Sequence, residues 1–141
     1  MARQKLTTSL STNAPAQAAL AHYLEGVGFD KHLRQLRHTL ATQRDAMTQA
    51  IARHFPPGTR ATRPEGGYFM WIELPPGCDA LQLHQQALSE GISLAPGPVF
   101  SASQRFGRCI RLNYGLLWDA RTDQALQQLG SWCHRMQQAA G

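Results

Sequence analysis

The residue type most able to do chemistry in this chain is the arginine of the run Cys109-Ile110-Arg111-Leu112-Asn113-Tyr114. Strand side chains alternate, so Ile110, Leu112 and Tyr114 share one face while Arg111 and Asn113 share the other. A guanidinium in a short apolar strand is expensive to bury without a counter-charge. It must reach solvent or meet an anion, and its planar fork of donors suits a carboxylate held bidentately. Three fates are open from the residues alone: a carboxylate ligand in a cleft, an internal pair with Glu73 or Glu65, or an open sheet face.

Other chemistries find little support. His22, His32, His38, His54, His84 and His134 include no pair at metal-ligand spacing with a carboxylate, so no metal site is expected. Cys78, Cys109 and Cys133 are odd in number and far apart, the pattern of a reducing, cytoplasmic compartment. Gly66-Gly67 precedes a strand rather than a helix, so it is no phosphate cradle. No run of about eighteen apolar residues exists to span a membrane, and the stretch from Met1 to Ser11 lacks the apolar core of a secretory signal. The net charge of +5 and pI near 9.6 invite a basic nucleic-acid-binding module as one alternative. Yet Arg34, Arg37 and Arg44 lie on one predicted helix without interleaved aromatics, which reads as a solvated face.

These residues need elements to position them. Asn13 and Pro15 open a helix with Ala18, Ala19, Leu20, Tyr23 and Leu24 on its apolar side, ending at Gly26 or Gly28. A longer helix is expected from Asp30, as N-cap, to His54, with Leu33, Leu36, Leu40, Met47 and Ile51 in one stripe. At about 25 residues it would span roughly 40 Å, the dimension of a spine between two parts of a larger molecule. Next come a short strand within residues 59–63 and a stronger one over Tyr68 to Leu74, apolar on nearly both faces. Asp79 caps a helix that aligns Leu81, Gln85 and Leu88. Ile92 to Ala95 is a short strand, and a last helix from Asp119 aligns Leu126, Leu129, Trp132 (or Cys133) and Met136. The order predicts an α/β chain of the α+β type: a two-layer sandwich with a small mixed sheet and helices on one face. One domain, 1–141, is expected, divided into a linker and boundary helix (1–28), a long interdomain helix (29–55) and a small domain (59–141).

Three blocks stand in order: Arg63-Pro64-Glu65-Gly66-Gly67-Tyr68-Phe69-Met70-Trp71-Ile72-Glu73-Leu74, Gly91-Ile92-Ser93-Leu94-Ala95-Pro96-Gly97-Pro98-Val99-Phe100 and Ile110-Arg111-Leu112-Asn113-Tyr114-Gly115. Together they resemble the C-terminal small domain of fold-type I (class I/II) pyridoxal-phosphate-dependent aminotransferases. The wording is most similar to the aminotransferase-like domain of MocR-type transcriptional regulators in the GntR family. The segment Lys5-Leu6-Thr7-Thr8-Ser9-Leu10 and the Pro15-x-Gln17 helix resemble the stretch just downstream of that family's cofactor-binding motif.

The resemblance implies that Arg111 grips a substrate α-carboxylate. It also implies that Gly66, Gly67, Tyr68, Pro96, Gly97 and Asn113 line the pocket. The family's Schiff-base lysine has no match, since Lys5 and Lys31 are the only lysines. The chain is therefore expected to be a fragment with no catalytic residue, inactive by itself and binding no cofactor alone. Pyridoxal phosphate would belong to a full-length parent. Expected partners are an amino-acid ligand, the parent's large domain and a second copy in a homodimer. DNA would be reached only through an N-terminal domain outside this chain, and no membrane is involved. A free-standing class I/II aminotransferase is the rival parent.

Overall fold

The computed structural model describes residues 13–140; Lys5 and its neighbours lie outside them. The chain divides into two compact units, one up to His38 and one from Thr39 onward.

In the first unit, α1 covers Ala14–Glu25, with the Asn13 side chain accepting from the Ala16 amide at 3.4 Å and Pro15 in the first turn. The helix stops at Gly26, whose amide donates to the Tyr23 carbonyl. Its apolar residues Leu20, Tyr23 and Leu24 are all exposed, and the Tyr23 ring meets that of Phe29 edge-on at 5.8 Å. The next helix, α2, covers Val27–His54. Asp30 therefore sits inside the first turn, favourable to the helix dipole, rather than at the N-cap expected for it. The reason is Gly26, whose carbonyl already accepts from the Phe29 amide and starts the helix three residues earlier.

In the second unit, the remainder of α2 buries Met47, Ala50 and Ile51, and Phe55 and Pro56 close its end in the core. The strands are β1 (Arg60–Ala61), β2 (Phe69–Glu73), β3 (Ala95–Pro96) and β4 (Cys109–Asn113). Helix α3 (Ala80–Ser89) joins β2 to β3, a 3-10 turn (Gly97–Phe100) comes after β3, and α4 (Ala120–Ala139) ends the unit. The sheet order is β1-β2-β4-β3 and every pairing is antiparallel. The two-layer α+β architecture agrees with the sequence reading, but the mixed sheet does not. Strands β2 and β3 run parallel across the α3 crossover, and β4 inserts between them, so no parallel pair is hydrogen-bonded.

The period of two divides the sheet cleanly. Met70 and Ile72 of β2 stand opposite Leu112 and Ile110 of β4, and all four join the helices in the core. Phe69 and Trp71 point the other way, so β2 is covered on one face only, not nearly both. Two smaller expectations also shift. The strand expected over Ile92 to Ala95 begins only at Ala95, and α3 turns Ala80, Leu83 and Ala87 inward, leaving Leu81 and Leu88 exposed. The small alanines flanking Leu83 let that side of the helix sit close to its neighbours. Asp79 caps α3 as expected, Asp119, the expected start of the last helix, proves to be the N-cap of α4, and both Trp132 and Cys133 are buried.

Candidate functional site

Arg111 occupies the middle of β4, paired in register with Trp71 of β2 on one side and Ala95 of β3 on the other. Its guanidinium carbon lies 4.1 Å from the centroid of the Phe69 ring and 4.5 Å from that of Phe100. Phe69 starts β2 and Phe100 ends the turn after β3, so the two rings arrive from the strands on either side of β4. Trp71 braces Phe100, with its ring 5.6 Å from Phe100 and 5.6 Å from Phe106 in edge-on geometry.

The internal ion pairs considered for Arg111 do not form. Glu73 faces Arg108 at 3.5 Å, Asp45 is shared by Arg44 and Arg63, and Asp123 by Arg53 and His54. Glu65 is exposed and makes no ion pair among the described residues. The Nε of Arg111 is buried and has no acceptor, which costs about 1–3 kcal/mol. Each ring contact returns about 0.5–2 kcal/mol, so the rings roughly offset the orphaned donor. Neither terminal nitrogen has a hydrogen-bonding partner among the described residues, and neither is sealed from solvent. The half-buried fork thus keeps terminal donors that no described residue fills.

The other residues singled out in the sequence fall into different places. Asn113 shares the face of Arg111, but its side-chain oxygen accepts from the Gly115 amide at 2.7 Å and so shapes the turn after β4. Tyr68 is exposed with its ring 4.6 Å from that of Phe69, and its carbonyl accepts from the Tyr114 amide. Gly67 has φ +77° and accepts at its carbonyl from the Tyr114 hydroxyl at 3.0 Å, while Gly66 has open space around it. Pro96 is buried opposite Ile110, and Gly97 is buried against Phe106 and Cys109. A Cβ on Gly97 would run into the Phe106 carbonyl, so this glycine is demanded by the chain's own backbone. Sequence reasoning did not gather Phe100, Trp71 and Phe106 around Arg111. The alternation of β2 could have placed Phe69 and Trp71 there; the two loop rings left no periodic signal.

Nothing else nearby rivals the arginine. Burial pushes the Cys109 thiol up, helped by the Glu73 charge, and burial likewise raises Cys78 and Cys133, so none is a ready nucleophile. Among the described residues no three His, Cys, Asp or Glu side chains gather as a metal site. A shallow depression between Pro76, Gly77, Gln137 and Ala140 holds no titratable group.

Known proteins bear directly on this geometry. No protein-family profile matches the chain. An uncharacterized HTH-type transcriptional regulator of Escherichia coli K12, YdcR, is 41% identical over 128 residues, 91% of this chain but 27% of the regulator. Aromatic-amino-acid aminotransferase 1 of Thermococcus litoralis is 31% identical over 89% of this chain and 30% of the enzyme. Among solved structures, kynurenine aminotransferase of Pyrococcus horikoshii superposes with a TM-score of 0.83 at 30% identity, over 94% of this chain and 33% of that one. The α-aminoadipate aminotransferase LysN of Thermus thermophilus, complexed with N-(5'-phosphopyridoxyl)-L-leucine, gives 0.80 at 32% identity, over 95% of this chain and 34% of that one.

The chain is an aminotransferase-like domain. It spans under a third of the curated relatives it matches, which include both transaminases and HTH-type regulators. Aminotransferases of this kind work with pyridoxal phosphate, and the described residues include no buried lysine that would anchor it. Lys31, the sole lysine among them, is exposed on α2, and the Gly66-Gly67 turn leads into a strand. No cofactor step is therefore assigned to these residues. What the aminotransferase-like domain does contain is a cation held between rings.

Proposed function

We propose that this domain supplies the carboxylate-binding wall of an amino-acid site in a larger pyridoxal-phosphate-dependent protein, with Arg111 as the residue that takes the carboxylate. The observation that carries this is a half-buried guanidinium that has ring neighbours but no acid partner. Binding a ligand carboxylate would fill the terminal nitrogens with charge-assisted hydrogen bonds, which are stronger than neutral ones. Gly66, Gly67, Tyr68, Pro96, Gly97 and Asn113 act here as scaffold, holding the loops that carry the rings. The residues of α1 and the start of α2 would join this domain to the part that seats the cofactor.

The parent is proposed to be a regulator of the GntR/MocR type, supported by the 41% identity to YdcR against 31% to the Thermococcus enzyme. An amino acid bound at Arg111 would be the effector, and DNA would be contacted by a separate helix-turn-helix domain. The likeness to solved transaminases supports a second reading, a free-standing aminotransferase with the same wall.

The test is Arg111→Gln in the full-length product of the reading frame. Amino-acid affinity, followed through the cofactor's absorbance, should fall at least about thirtyfold, the loss of a charge-assisted bidentate pair worth about 2 kcal/mol or more. Retained affinity would remove Arg111 from the site. An operator-binding change on adding amino acid selects the regulator; keto-acid turnover without DNA binding selects the enzyme.

A further inference from the structure

Phe69 and Phe100 stand on the two sides of the Arg111 guanidinium, where they could do more than support it. We propose that the two rings form a slot that admits a flat carboxylate to Arg111 and disfavours tetrahedral oxyanions such as sulfonates and phosphonates. This rests on the carboxylate reading of Arg111.

Thickness decides what the slot can admit. The rings lie 4.1 and 4.5 Å from the guanidinium carbon, about the separation at which flat groups touch. A bidentate carboxylate keeps both oxygens in the plane of the fork, so it extends the guanidinium's own thin profile outward. A sulfonate that offers two oxygens to the fork must send its third oxygen and its carbon out of that plane, one to each side. A ring stands on each side, which leaves less room for an atom out of that plane than for one within it. The walls are also held. The Phe100 ring meets Trp71 at 5.6 Å, and the Phe69 ring meets Tyr68 at 4.6 Å. The Nε side of the fork is closed, because that nitrogen is buried. Only the terminal nitrogens remain for an incoming ligand, at the mouth of the slot.

The experiment uses the 141-residue chain and reads the Nε–H resonance of Arg111 by ¹⁵N-resolved NMR, assigned by its loss in Arg111→Lys. Sodium acetate and sodium methanesulfonate are titrated at constant ionic strength into the wild type, Phe100→Ala and Phe69→Leu. Acetate is the better acceptor in any setting, so the informative quantity is how the ratio of the methanesulfonate to the acetate dissociation constant changes with the walls. The ratio should fall about threefold or more in either variant, as the out-of-plane oxygen gains room. Acetate affinity itself should change by less than about twofold, because each ring touches the guanidinium whether or not the anion is bound. Phe69 and Phe100 are 38% and 42% exposed, so neither substitution empties the core. A ratio unchanged in both variants, with acetate still moving the Arg111 resonance, overturns the slot and leaves the carboxylate reading standing. A wild-type resonance indifferent to both anions overturns the two together.

Discussion

Replacing Gly97 by alanine should damage the fold and the site together, and neighbouring glycines provide the controls. A Cβ at Gly97 would lie 2.8 Å from both the Cys109 carbonyl and the Phe106 Cβ, and closer still to the Phe106 carbonyl. The obstructing oxygens belong to backbone, and the Phe106 carbonyl is tied to the Cys109 amide at 2.9 Å. The turn that carries Phe100 must then lift off β4. Overpacking of this kind costs about 1–3 kcal/mol, which lowers the melting temperature of a domain of this size by about 5–15 °C. Gly67→Ala should cost about 1–2 kcal/mol through its φ of +77° alone. Gly66→Ala meets no atom within 4 Å and should stay within about 0.5 kcal/mol of wild type. Thermal unfolding followed by circular dichroism gives the three values. The Arg111 Nε–H resonance should move in Gly97→Ala, where Phe100 is displaced, and hold still in Gly66→Ala. A Gly97→Ala chain that melts with wild type, or a Gly66→Ala chain that falls as far, would refute the close-approach reasoning.

Titratable groups away from the slot give two further outcomes. Hydrogen bonds from the Thr122 amide and hydroxyl hold Asp119 below its ordinary value of 3.8, so its contribution is complete above that value and is lost as pH falls through the lower folded one. The stability difference between wild type and Asp119→Asn should therefore be constant near neutrality and shrink in acid; urea melts that show a constant difference from pH 6 to about pH 2 would contradict it. Burial raises all three thiols, Cys133 most. Ellman's reagent at about pH 8 should label the folded chain slowly and the guanidinium-unfolded chain at once, and rapid native labelling of any of the three would show the packing to be wrong.

Much of the fold was legible because its signals are local. Asn13 and Asp79 each cap the helix that their position in the sequence suggested, and the last helix starts at Asp119 as expected. The alternation in Cys109 to Asn113 put Arg111 on the face away from Ile110 and Leu112, where it lies. The failures came where a decision depends on partners far along the chain. Periodicity alone could align Leu81, Gln85 and Leu88, yet the helix turned its alanines inward because close approach favoured the smaller side. The antiparallel sheet depends on β4 entering between β2 and β3, an event of strand order that no single segment encodes. For the site, the arginine was visible by type and setting. Of its flanking rings, Phe69 was within reach of the β2 alternation, but Phe100 was not, since it lies on a turn whose course is fixed by contacts at Gly97.

This separation of signals comes from how β2 and β4 divide their residues. Met70, Ile72, Ile110 and Leu112 serve the core, and Phe69, Trp71 and Arg111 serve the opposite face, with no side chain shared between the two tasks. Changes to the open face can therefore alter ligand preference while the helical layer still supports the sheet. The coupling that remains runs through the backbone at Gly97, which is packed against the β4 strand at one end and leads to Phe100 at the other. A domain built this way can serve an enzyme or a sensor without refolding: the core fixes where the arginine stands, and the rings decide which anions reach it.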